Sequence, residues 1–559
     1  MKKKKCLLHS CVLALAIVGI QSTAYADMPT TILPSAGSLL SELEPERHIT
    51  PRPAKPQIDV KLPSPASSVQ SGSILVKQIR FVCQEMDIQN ELDFLAADKL
   101  NSKLSFEDMQ ELALAATNHL RSQGYMTAIV YIPEQKFDDS ATLKLNVILG
   151  RFGDIVLTNK SELTDKRVLG YTYEIRPGQI ITSKTLDKTL LVLNDIPGII
   201  ARASLEPGKH PGTANIHLDV TTLEKEGGYI SVDNFGSKST GAWRFGGNYH
   251  YNNLSHVGNQ LQFNYLTSTH DMDNYSIQYA LPLGRDGATS HIAYSRMNYG
   301  LGDKFSYMNA DGYADTFELG FTVPMYRSLL QSSFYDVAYR NRQLTDKMFN
   351  GIWNSGKSSD AVDLGFHGYL RSDNTAFTYT LTHTIGKMYM DSEIAKATDL
   401  LGSSGWFNKT YLSTSFIRRL DERWNATLAV SGQYAYNNLD SSEDFYGSGP
   451  SAVRAFSQGE LSGDSGLLST LEFTYRTGQP KLQLAAFLDA ARVRYSKDPL
   501  PGSGENYRDL AGAGLSLIWN ESRDLYARLD WATPIGDNWS ETDNERTNNT
   551  WWFRIVKQL

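Results

Sequence analysis

The sequence lacks the signals that usually identify an enzyme, a metalloprotein or a nucleic-acid-binding protein. Its 559 residues include only three cysteines, and they contain neither an H-E-x-x-H sequence nor a phosphate-binding glycine loop. The formal net charge of −7 gives no electrostatic reason to bind nucleic acid. Residues 463–466 (GDSG) match the surroundings of a serine-protease nucleophile, but so short a match carries little weight without a paired histidine. We therefore expect no enzymatic activity, no metal and no cofactor.

No apolar run in the sequence is long enough to span a bilayer comfortably, and the most continuous one lies near the amino terminus. Lysines at positions 2–5 precede a short apolar run at residues 7–20, and an A-Y-A sequence follows at residues 24–26. This order predicts a secretory signal peptide at residues 1–26. The alternative, a membrane anchor, would need a longer apolar run. Cleavage removes two cysteines, so Cys83 has no partner for an intrachain disulfide.

The rest of the chain is rich in aromatic residues, although it has no segment that resembles a membrane-spanning helix. The sequence contains 29 tyrosines and 9 tryptophans. A soluble protein is one explanation for the missing helix. The other is a membrane β-barrel, because barrel strands are only alternately apolar and their aromatic residues gather at the two membrane interfaces.

Residues 27–73 divide into a short helical segment and a linker. Residues 27–44 contain a helix candidate with apolar Leu39, Leu40 and Leu43, and residues 45–73 are rich in proline and serine. Such a linker composition cannot bury a core and predicts an extended chain. A nine-residue helix is not stable alone, so it docks against a wall of the protein or it does not form. In the second case the segment is a disordered terminus with a chance apolar patch.

Two copies of one α+β unit follow the linker. In residues 74–150 a strand, two helices and two strands succeed one another, and residues 151–226 repeat this order. In the second copy Leu186 and Leu190 lie on the longer helix, and residues 200–205 form the strand that follows it.

From residue 227 to residue 559 the pattern changes to strands alone. Apolar and polar residues alternate over segments of about ten residues, and sixteen such strands can be counted. A soluble β-sandwich would alternate in the same way, but short turns here alternate with long loops, which favours an outer-membrane barrel. An even strand count places both barrel ends on the periplasmic side. The predicted long loops are residues 301–312, 345–359, 391–405, 438–466 and 536–549.

Three motifs make the chain resemble a known family. Residues 232–241 read VDNFGSKSTG, the loop at 438–466 contains VRAF, and the thirteenth barrel strand contains FLDAA. The repeated units resemble POTRA domains, and almost the whole chain resembles the TpsB transporters of two-partner secretion. The matching residues are Asp233, Asn234, Gly236 and Gly241 at the barrel start, Val453, Arg454, Ala455 and Phe456 in the loop, and Phe487 and Asp489 on the strand.

The resemblance implies that the loop folds into the barrel lumen, where Arg454 pairs with Asp489 on the wall. The alternation of the strand agrees, because Leu488 has lipid-facing parity and therefore turns Asp489 and Phe487 inward. A carboxylate beneath a lumenal plug is well matched by an arginine fork. From the residues alone, a solvated Asp489 and a solvated Arg454 are the alternative.

The chain departs from the family pattern in three places. Ala455 and Ala491 each add a methyl group where the family has glycine, so the seat of the loop is expected to differ slightly. Residues 551–559 end in leucine instead of the usual phenylalanine, yet they alternate like a strand. We expect barrel assembly to tolerate this ending.

The resemblance also implies a function. A TpsB transporter exports one large, unfolded exoprotein, such as a TpsA-type hemolysin, an adhesin, a contact-dependent inhibition toxin or a haem-acquisition protein, across the outer membrane without ATP. Its POTRA domains lie in the periplasm and its long loops at the cell surface. An assembly factor, or insertase, and a passive porin are the alternatives, and the two POTRA-like units with the motif at 232–241 favour secretion.

The same resemblance implies the partners. They are the N-terminal secretion domain of the exoprotein, outer-membrane lipid and, during insertion, the barrel-assembly machinery. We expect the exoprotein to add as a strand at a POTRA edge, while residues 27–44 plug the resting pore. The candidate groove on the second POTRA-like unit is lined by Leu186, Leu190, Ile200 and Leu205.

Overall fold

The structure is a computed structural model. The signal peptide expected at residues 1–26 and most of the linker lie outside the described residues, so both stay predictions. In the part of the chain that is described, no helix is long and apolar enough to cross a membrane. The described residues are 33–43, 58–60, 72–137, 139–521, 524–536 and 549–559.

The elements before the barrel form two small domains and one separate helix. The helices are α1 Ala36–Leu43, α2 Gln89–Ala96, α3 Phe106–Ser122, α4 Asp165–Gly170 and α5 Ser183–Asn194. The strands are β1 Ile58–Val60, β2 Ser73–Val76, β3 Gln78–Cys83, β4 Ser102–Ser105, β5 Ile129–Tyr131, β6 Thr142–Ile148, β7 Arg151–Lys160, β8 Ile199–Pro207 and β9 Thr213–Thr222.

In the first domain, α2 and α3 pack against the sheet β3-β6-β5. A capping box starts α3: the Asp108 amide donates to Ser105 Oγ at 3.1 Å, and the Ser105 amide donates to the Asp108 carboxylate at 2.8 Å. Cys83 lies half-buried at the end of β3, and burial raises the pKa of its thiol. The apolar residues of α3 face the sheet at helical spacing; they are Met109, Leu112, Ala113, Ala116 and Leu120.

The second domain repeats this arrangement, but its sheet includes a strand from the linker. The strand order is β1-β8-β9-β7, and Ile58–Val60 pairs in parallel with residues 203–205 of β8. Ile58 packs against the core of the domain. The sequence predicts an extended linker, and residues 58–60 are extended but pair with a folded domain. The physical reason is that an open sheet edge offers unpaired backbone groups to any extended chain that reaches it.

Sixteen antiparallel strands close into a barrel in chain order, which confirms the predicted architecture. The closing pair, β10 with β27, is joined over five residue pairs. Two short strands, β21 and β22, lie inside the loop at 438–466. The remaining bounds are β10 Glu226–Asp233, β11 Arg244–Asn252, β12 Gln260–Ser268, β13 Met272–Leu283, β14 Ala288–Gly300, β15 Asp311–Arg327, β16 Gln331–Met348, β17 Trp353–Arg371, β18 Thr375–Met390, α6 Glu393–Thr398, β19 Gly405–Arg419, β20 Trp424–Ala435, β21 Phe445–Tyr446, β22 Ser462–Gly463, β23 Ser465–Arg476, β24 Leu482–Arg494, β25 Tyr507–Glu521, β26 Leu525–Pro534 and β27 Thr550–Gln558.

Apolar side chains cover the outside of the barrel. On β24, Leu484 and Leu488 are exposed, whereas Phe487 and Asp489 are buried inside. An exposed apolar band is stable only against lipid, and it marks the surface that faces the membrane. The same alternation on β15 exposes Phe317, Leu319, Phe321 and Val323.

The expectation of a long loop at residues 345–359 is wrong. β16 continues to Met348 and β17 starts at Trp353, and these two residues are register partners. A turn of only four residues therefore joins the strands. Backbone pairing does not require apolar side chains, so polar segments can continue as strands beyond the apolar band.

The second domain is held against the short turns at one end of the barrel. Arg327, which is 6% exposed, forms a salt bridge with Asp195 at the end of α5. Burial raises the pKa of Asp195, and the charge of Arg327 opposes this rise. Val192 packs on Gly287, where an added Cβ would lie 3.3 Å from its methyl group. We call this end of the barrel the domain end and the opposite end the loop end.

Candidate functional site: the lumenal loop and the plug helix

The loop at residues 438–466, which we call the lumenal loop, places Arg454 against the barrel wall. Its guanidinium donates to both carboxylate oxygens of Asp489, from Nε and from Nη2, each at 2.8 Å. The Arg454 amide also donates to Asp489 at 3.2 Å. Arg454 is 5% exposed and Asp489 is 2% exposed. The two residues that the motifs predicted to meet therefore form a bidentate, buried ion pair.

The wall around this pair balances the remaining charge. Arg454 Nη1 donates to Glu472 at 3.0 Å. Arg528 donates to Glu472 at 2.8 Å and to Asp530 at 2.9 Å. The guanidinium of Arg454 also lies over the ring of Phe487, 3.3 Å from its centroid. Because these charges are satisfied only together, removing one partner of the buried pair costs about 3–5 kcal/mol.

The two alanines that replace family glycines each face a glycine. A Cβ added at Gly512 on β25 would lie 2.5 Å from the Cβ of Ala455. A Cβ added at Gly447 would lie 3.3 Å from the Cβ of Ala491. The space for the methyl group of Ala455 therefore comes from the missing side chain at Gly512, whereas a Cβ at Gly447 would meet Val493 at 2.9 Å and Leu461 at 3.0 Å before it met Ala491.

The tip of the lumenal loop is also bonded to the last strand of the barrel. Trp552 Nε1 donates to the Arg454 carbonyl at 2.7 Å, and Thr550 Oγ1 donates to the Ala455 carbonyl at 3.0 Å. Trp552 in turn contacts the ring of Phe235 edge-to-face. This last strand also closes the barrel against β10, through residues 554–558, so the loop tip and the closing pair are held by the same strand.

The motif at residues 232–241 forms the last two residue pairs of β10 with β27 and the turn after them. Asn234 bonds to β27 through three hydrogen bonds, two with the Phe553 backbone and one to the Trp551 carbonyl. Asp233 forms a salt bridge with Arg244 at 2.8 Å. Two glycines shape the turn: a Cβ at Gly236 would lie 2.0 Å from the Gly241 carbonyl, and Gly241 has a φ of +98°.

A second buried cluster, which the sequence did not reveal, holds the start of the lumenal loop. Glu443 is 1% exposed and lies in a short 3₁₀ turn at Ser441–Glu443. Its carboxylate is paired with three cations of the wall: Arg340 at 3.0 Å, Arg342 at 2.9 Å and Lys409 at 2.8 Å. The inward parity of Arg340 and Arg342 on β16 is visible in the sequence. Their partner is about a hundred residues away and belongs to no motif.

Helix α1, the plug helix, rests on this part of the lumenal loop. Gly37 packs so closely that an added Cβ would lie 2.9 Å from the Ser442 nitrogen. Ser41 Oγ donates to the Ser442 carbonyl at 2.8 Å, and Tyr446 donates its hydroxyl hydrogen to the Ser38 carbonyl at 2.8 Å. The plug helix and the lumenal loop therefore form one packed unit.

The opposite face of the plug helix packs on the barrel wall near the loop end. Leu39 and Leu40 are buried, and Leu43 packs on the same cluster. The Ala36 amide donates to Asp346, near the end of β16, at 2.6 Å. This is the docking wall that so short a helix needs. The wall side of the cluster includes Met272, Met297, Tyr299, Leu344 and Met348.

The geometry can be compared with known protein families. Residues 212–518 match the family described as haemolysin secretion/activation protein ShlB/FhaC/HecB, and residues 74–150 match the ShlB-type POTRA domain. The first match covers more than half of the chain. The chain belongs to this family. It is a TpsB transporter of the outer membrane, and its activity is the secretion of a partner exoprotein.

Curated relatives extend over most of this TpsB transporter. It is 24% identical over 542 residues to the heme/hemopexin transporter protein HuxB of Haemophilus influenzae, with 94% of each chain covered. It is 22% identical over 432 residues to the outer membrane transporter CdiB of Dickeya dadantii, with 76% of each chain covered. The hemolysin transporter protein HpmB of Proteus mirabilis is 23% identical over 57% of this chain and 59% of its own.

Solved structures share the fold. CdiB from Escherichia coli superposes with a TM-score of 0.65 at 19% identity, over 89% of this transporter and 93% of that chain. BamA from Haemophilus ducreyi, lacking POTRA domains 1–3, has a TM-score of 0.53 at 14% identity, over 87% of this transporter and 100% of that chain. This transporter therefore shares its barrel fold with CdiB and with BamA. The family match of its sequence distinguishes it from an assembly factor.

The expected exoprotein groove on the second POTRA domain is not a surface, and that expectation is wrong. Leu186 and Leu205 are 0% exposed and Leu190 is 1% exposed, because α5 lies directly on β8 and their facing side chains form the core. Ile200 is only half-buried. The edge of β8, where a strand could add, carries Ile58–Val60.

The first prediction concerns the buried ion pair. Arg454→Ala and Asp489→Ala should impair secretion to the same degree and lower the thermal unfolding midpoint, because each leaves one charge buried without its partner. The double variant should be no worse than either single variant. The control is Arg492→Ala, since Arg492 on β24 and Asp509 on β25 form an exposed pair at 2.6 Å on the outside of the barrel. Fully additive losses at the inner pair would contradict its coupling.

The second prediction concerns the compensating glycine. Gly512→Ala should lower the unfolding midpoint and secretion, because two Cβ atoms would meet at 2.5 Å. Adding Ala455→Gly should restore both. Gly478→Ala is the control, since an added Cβ there meets nothing within 4 Å. If the double variant stays as impaired as Gly512→Ala alone, the contact is not the cause.

The third prediction concerns the seat of the plug helix. Gly37→Val should unseat the helix, because its side chain would overlap Ser442, and the channel conductance in planar bilayers should rise to that of a variant lacking residues 35–43. Gly478→Val serves as the control. Unchanged conductance in the deletion variant would show that the helix does not close the pore.

Proposed function

We propose that this transporter exports one large, unfolded exoprotein from the periplasm to the cell surface. The observation that carries the proposal is a closed barrel with the plug helix docked inside its lumen. The plug helix is only eight residues long and is attached to the POTRA domains by a long linker. Its seat consists of a few hydrogen bonds and one apolar cluster. A pore closed in this way can open without unfolding the barrel.

The orientation follows from the expected route of the exoprotein. The POTRA domains at the domain end lie in the periplasm, and the loop end faces the cell surface. The sequence holds no nucleotide-binding loop, so folding of the exoprotein outside the cell supplies the free energy for export. During its own insertion, the barrel is a substrate of the barrel-assembly machinery.

We also propose that the chain has no enzymatic role. The GDSG sequence at residues 463–466 supports this reading, because Asp464 is used to hold the lumenal loop. Its carboxylate accepts hydrogen bonds from the Leu439 amide at 3.0 Å and from the Lys497 amide at 2.6 Å. The nucleophile of such a sequence would be Ser465, and its hydroxyl oxygen is bonded to the Ala435 amide of the barrel wall at 2.9 Å and not to a histidine.

The partner is an exoprotein with an N-terminal secretion domain that the POTRA domains bind. The names of the relatives point to different partners, heme/hemopexin for HuxB and a hemolysin for HpmB. At 22–24% identity the relatives support a secreted exoprotein as the partner, but they do not indicate which exoprotein it is. The long similarity to HuxB makes a haem-acquisition exoprotein the first to test.

The fourth prediction tests this function by mass spectrometry. Deleting the gene in its source bacterium should remove one large protein from the culture medium and leave the other outer-membrane proteins at their usual amounts. Re-expression of the intact transporter should restore that protein, and expression of Arg454→Ala should not. A parallel fall of many barrel proteins would instead show an assembly factor.

A further inference from the structure

Cations and aromatic rings lie together on the outside of the barrel at its loop end, on strands β18 to β25. Lys387 lies over the rings of Tyr389 and Trp406, 5.0 and 5.9 Å from their centroids. Arg492 lies over the ring of Tyr507, 5.0 Å from its centroid. The three rings are exposed, and Trp406 most of all, at 69%. Exposed rings at the edge of an apolar band mark the level of the lipid headgroups.

Two further cations are held side by side at this level. Lys497 Nζ donates to the Tyr434 hydroxyl at 2.9 Å and lies 4.7 Å from the centroid of that ring. Arg494 donates to the Lys497 carbonyl at 2.6 Å. The strand β23, which lies between β20 and β24, contributes the small Ser465 as the register partner of Arg494, and Leu467 two residues farther along is 56% exposed. We call Tyr434, Arg494 and Lys497 the basic cluster; it lies above an apolar surface that faces lipid.

The protein leaves much of this positive charge without a partner. Between described residues, Lys387 and the two cations of the basic cluster form no salt bridge. The carboxylate on the outward side of these strands is Asp509, which is paired with Arg492. Asp498 and Glu505 belong to the loop beyond the strand ends. Cations at a lipid interface attract anionic headgroups when no carboxylate neutralises them.

Strands on another part of the barrel carry acid in the same position. There the outward tyrosines donate to carboxylates in the loop-end halves of their strands, and the cation Arg296 is paired with one of these carboxylates, Asp315, at 3.5 Å. A girdle that only held rings at the interface would not need this division of charge. The three pairs are Tyr265 with Asp273 at 2.9 Å, Tyr294 with Asp315 at 2.6 Å and Tyr339 with Asp360 at 2.6 Å.

We propose that the basic cluster binds a phosphate group of an outer-leaflet lipid, whose acyl chains lie along Leu467 and the exposed leucines of β24. The proposal rests on the orientation stated with the proposed function, in which the loop end faces the cell surface. An arginine fork beside a lysine is well suited to a phosphate group. The apolar surface below the cluster selects a lipid over a free phosphate ion, because only a lipid covers it.

A lipid bound at this site would also support the base of the lumenal loop. The Lys497 amide donates to Asp464 at 2.6 Å, near one end of the loop. At the other end, Asn438 accepts from the Asp498 amide at 2.7 Å and donates to the Asp498 carbonyl at 2.9 Å. The segment that carries Lys497 therefore joins both ends of the loop. A ligand that binds only the folded form of this segment stabilises the loop base.

The fifth prediction tests the site with lipid A, a phosphorylated glycolipid, added to the intact transporter purified in detergent. Native mass spectrometry should show saturable binding to the unmodified protein, and the thermal unfolding midpoint should rise as lipid A binds. Arg494→Gln combined with Lys497→Gln should weaken binding about tenfold or more, because two charge-assisted contacts are lost. Arg296→Gln is the control, since it removes a cation that the acidic strands already neutralise.

The nature of the ligand is decided by two competitors. Lipid A without its phosphate groups should bind the unmodified protein as weakly as intact lipid A binds the double variant. Inorganic phosphate at the concentration of lipid A should not displace it; full displacement would assign the site to a free anion and overturn the lipid. Equal affinity of the double variant and the unmodified protein would overturn the site itself.

A labelling experiment separates this proposal from the proposed function. In a Cys83→Ser background, Asp498→Cys places a thiol on the exposed loop beside the basic cluster. A maleimide too large to cross the outer membrane should label it in intact cells. Labelling only after the membrane is permeabilised would overturn the orientation and, with it, the outer-leaflet lipid. Loss of lipid A binding with normal secretion would overturn the lipid site and leave export intact.

Discussion

The seat of the lumenal loop on the barrel wall is the contact on which the rest of this transporter depends. Arg454 and Glu443 lose their hydration when the loop enters the lumen, and charged groups of the wall replace the water. The plug helix lies on the residues beside Glu443, and the last barrel strand donates to the carbonyl of Arg454. The lumenal loop is therefore in contact with both the plug helix and the last barrel strand.

Two alanines replace family glycines where the lumenal loop packs on the barrel wall. An extra methyl group in a close-packed interior normally forces neighbouring atoms to move. Here Ala455 faces Gly512, so its added volume enters space that glycine leaves open. The ion pair is bidentate with both alanines in place.

Contacts of very different strength divide the transporter into fixed and releasable parts. The barrel is closed by long ladders, with up to eighteen residue pairs between β16 and β17, and the loop is held by buried charges. The plug helix and the strand Ile58–Val60 have only short contacts with the rest. Segments with few buried contacts open at the lowest free-energy cost.

Local patterns in the sequence determined much of this protein. Alternation showed sixteen strands and turned Asp489 inward, and the loop motif pointed Arg454 toward it. Alternation tells which way a side chain faces but not what it meets. The partners of Glu443, the burial of Leu186 and Leu205, and the hairpin through residues 345–359 depend on segments that are distant in the chain or on backbone pairing. Only the tertiary structure could decide them, and only it could place Ile58–Val60 on a sheet edge that forms when the second POTRA domain folds.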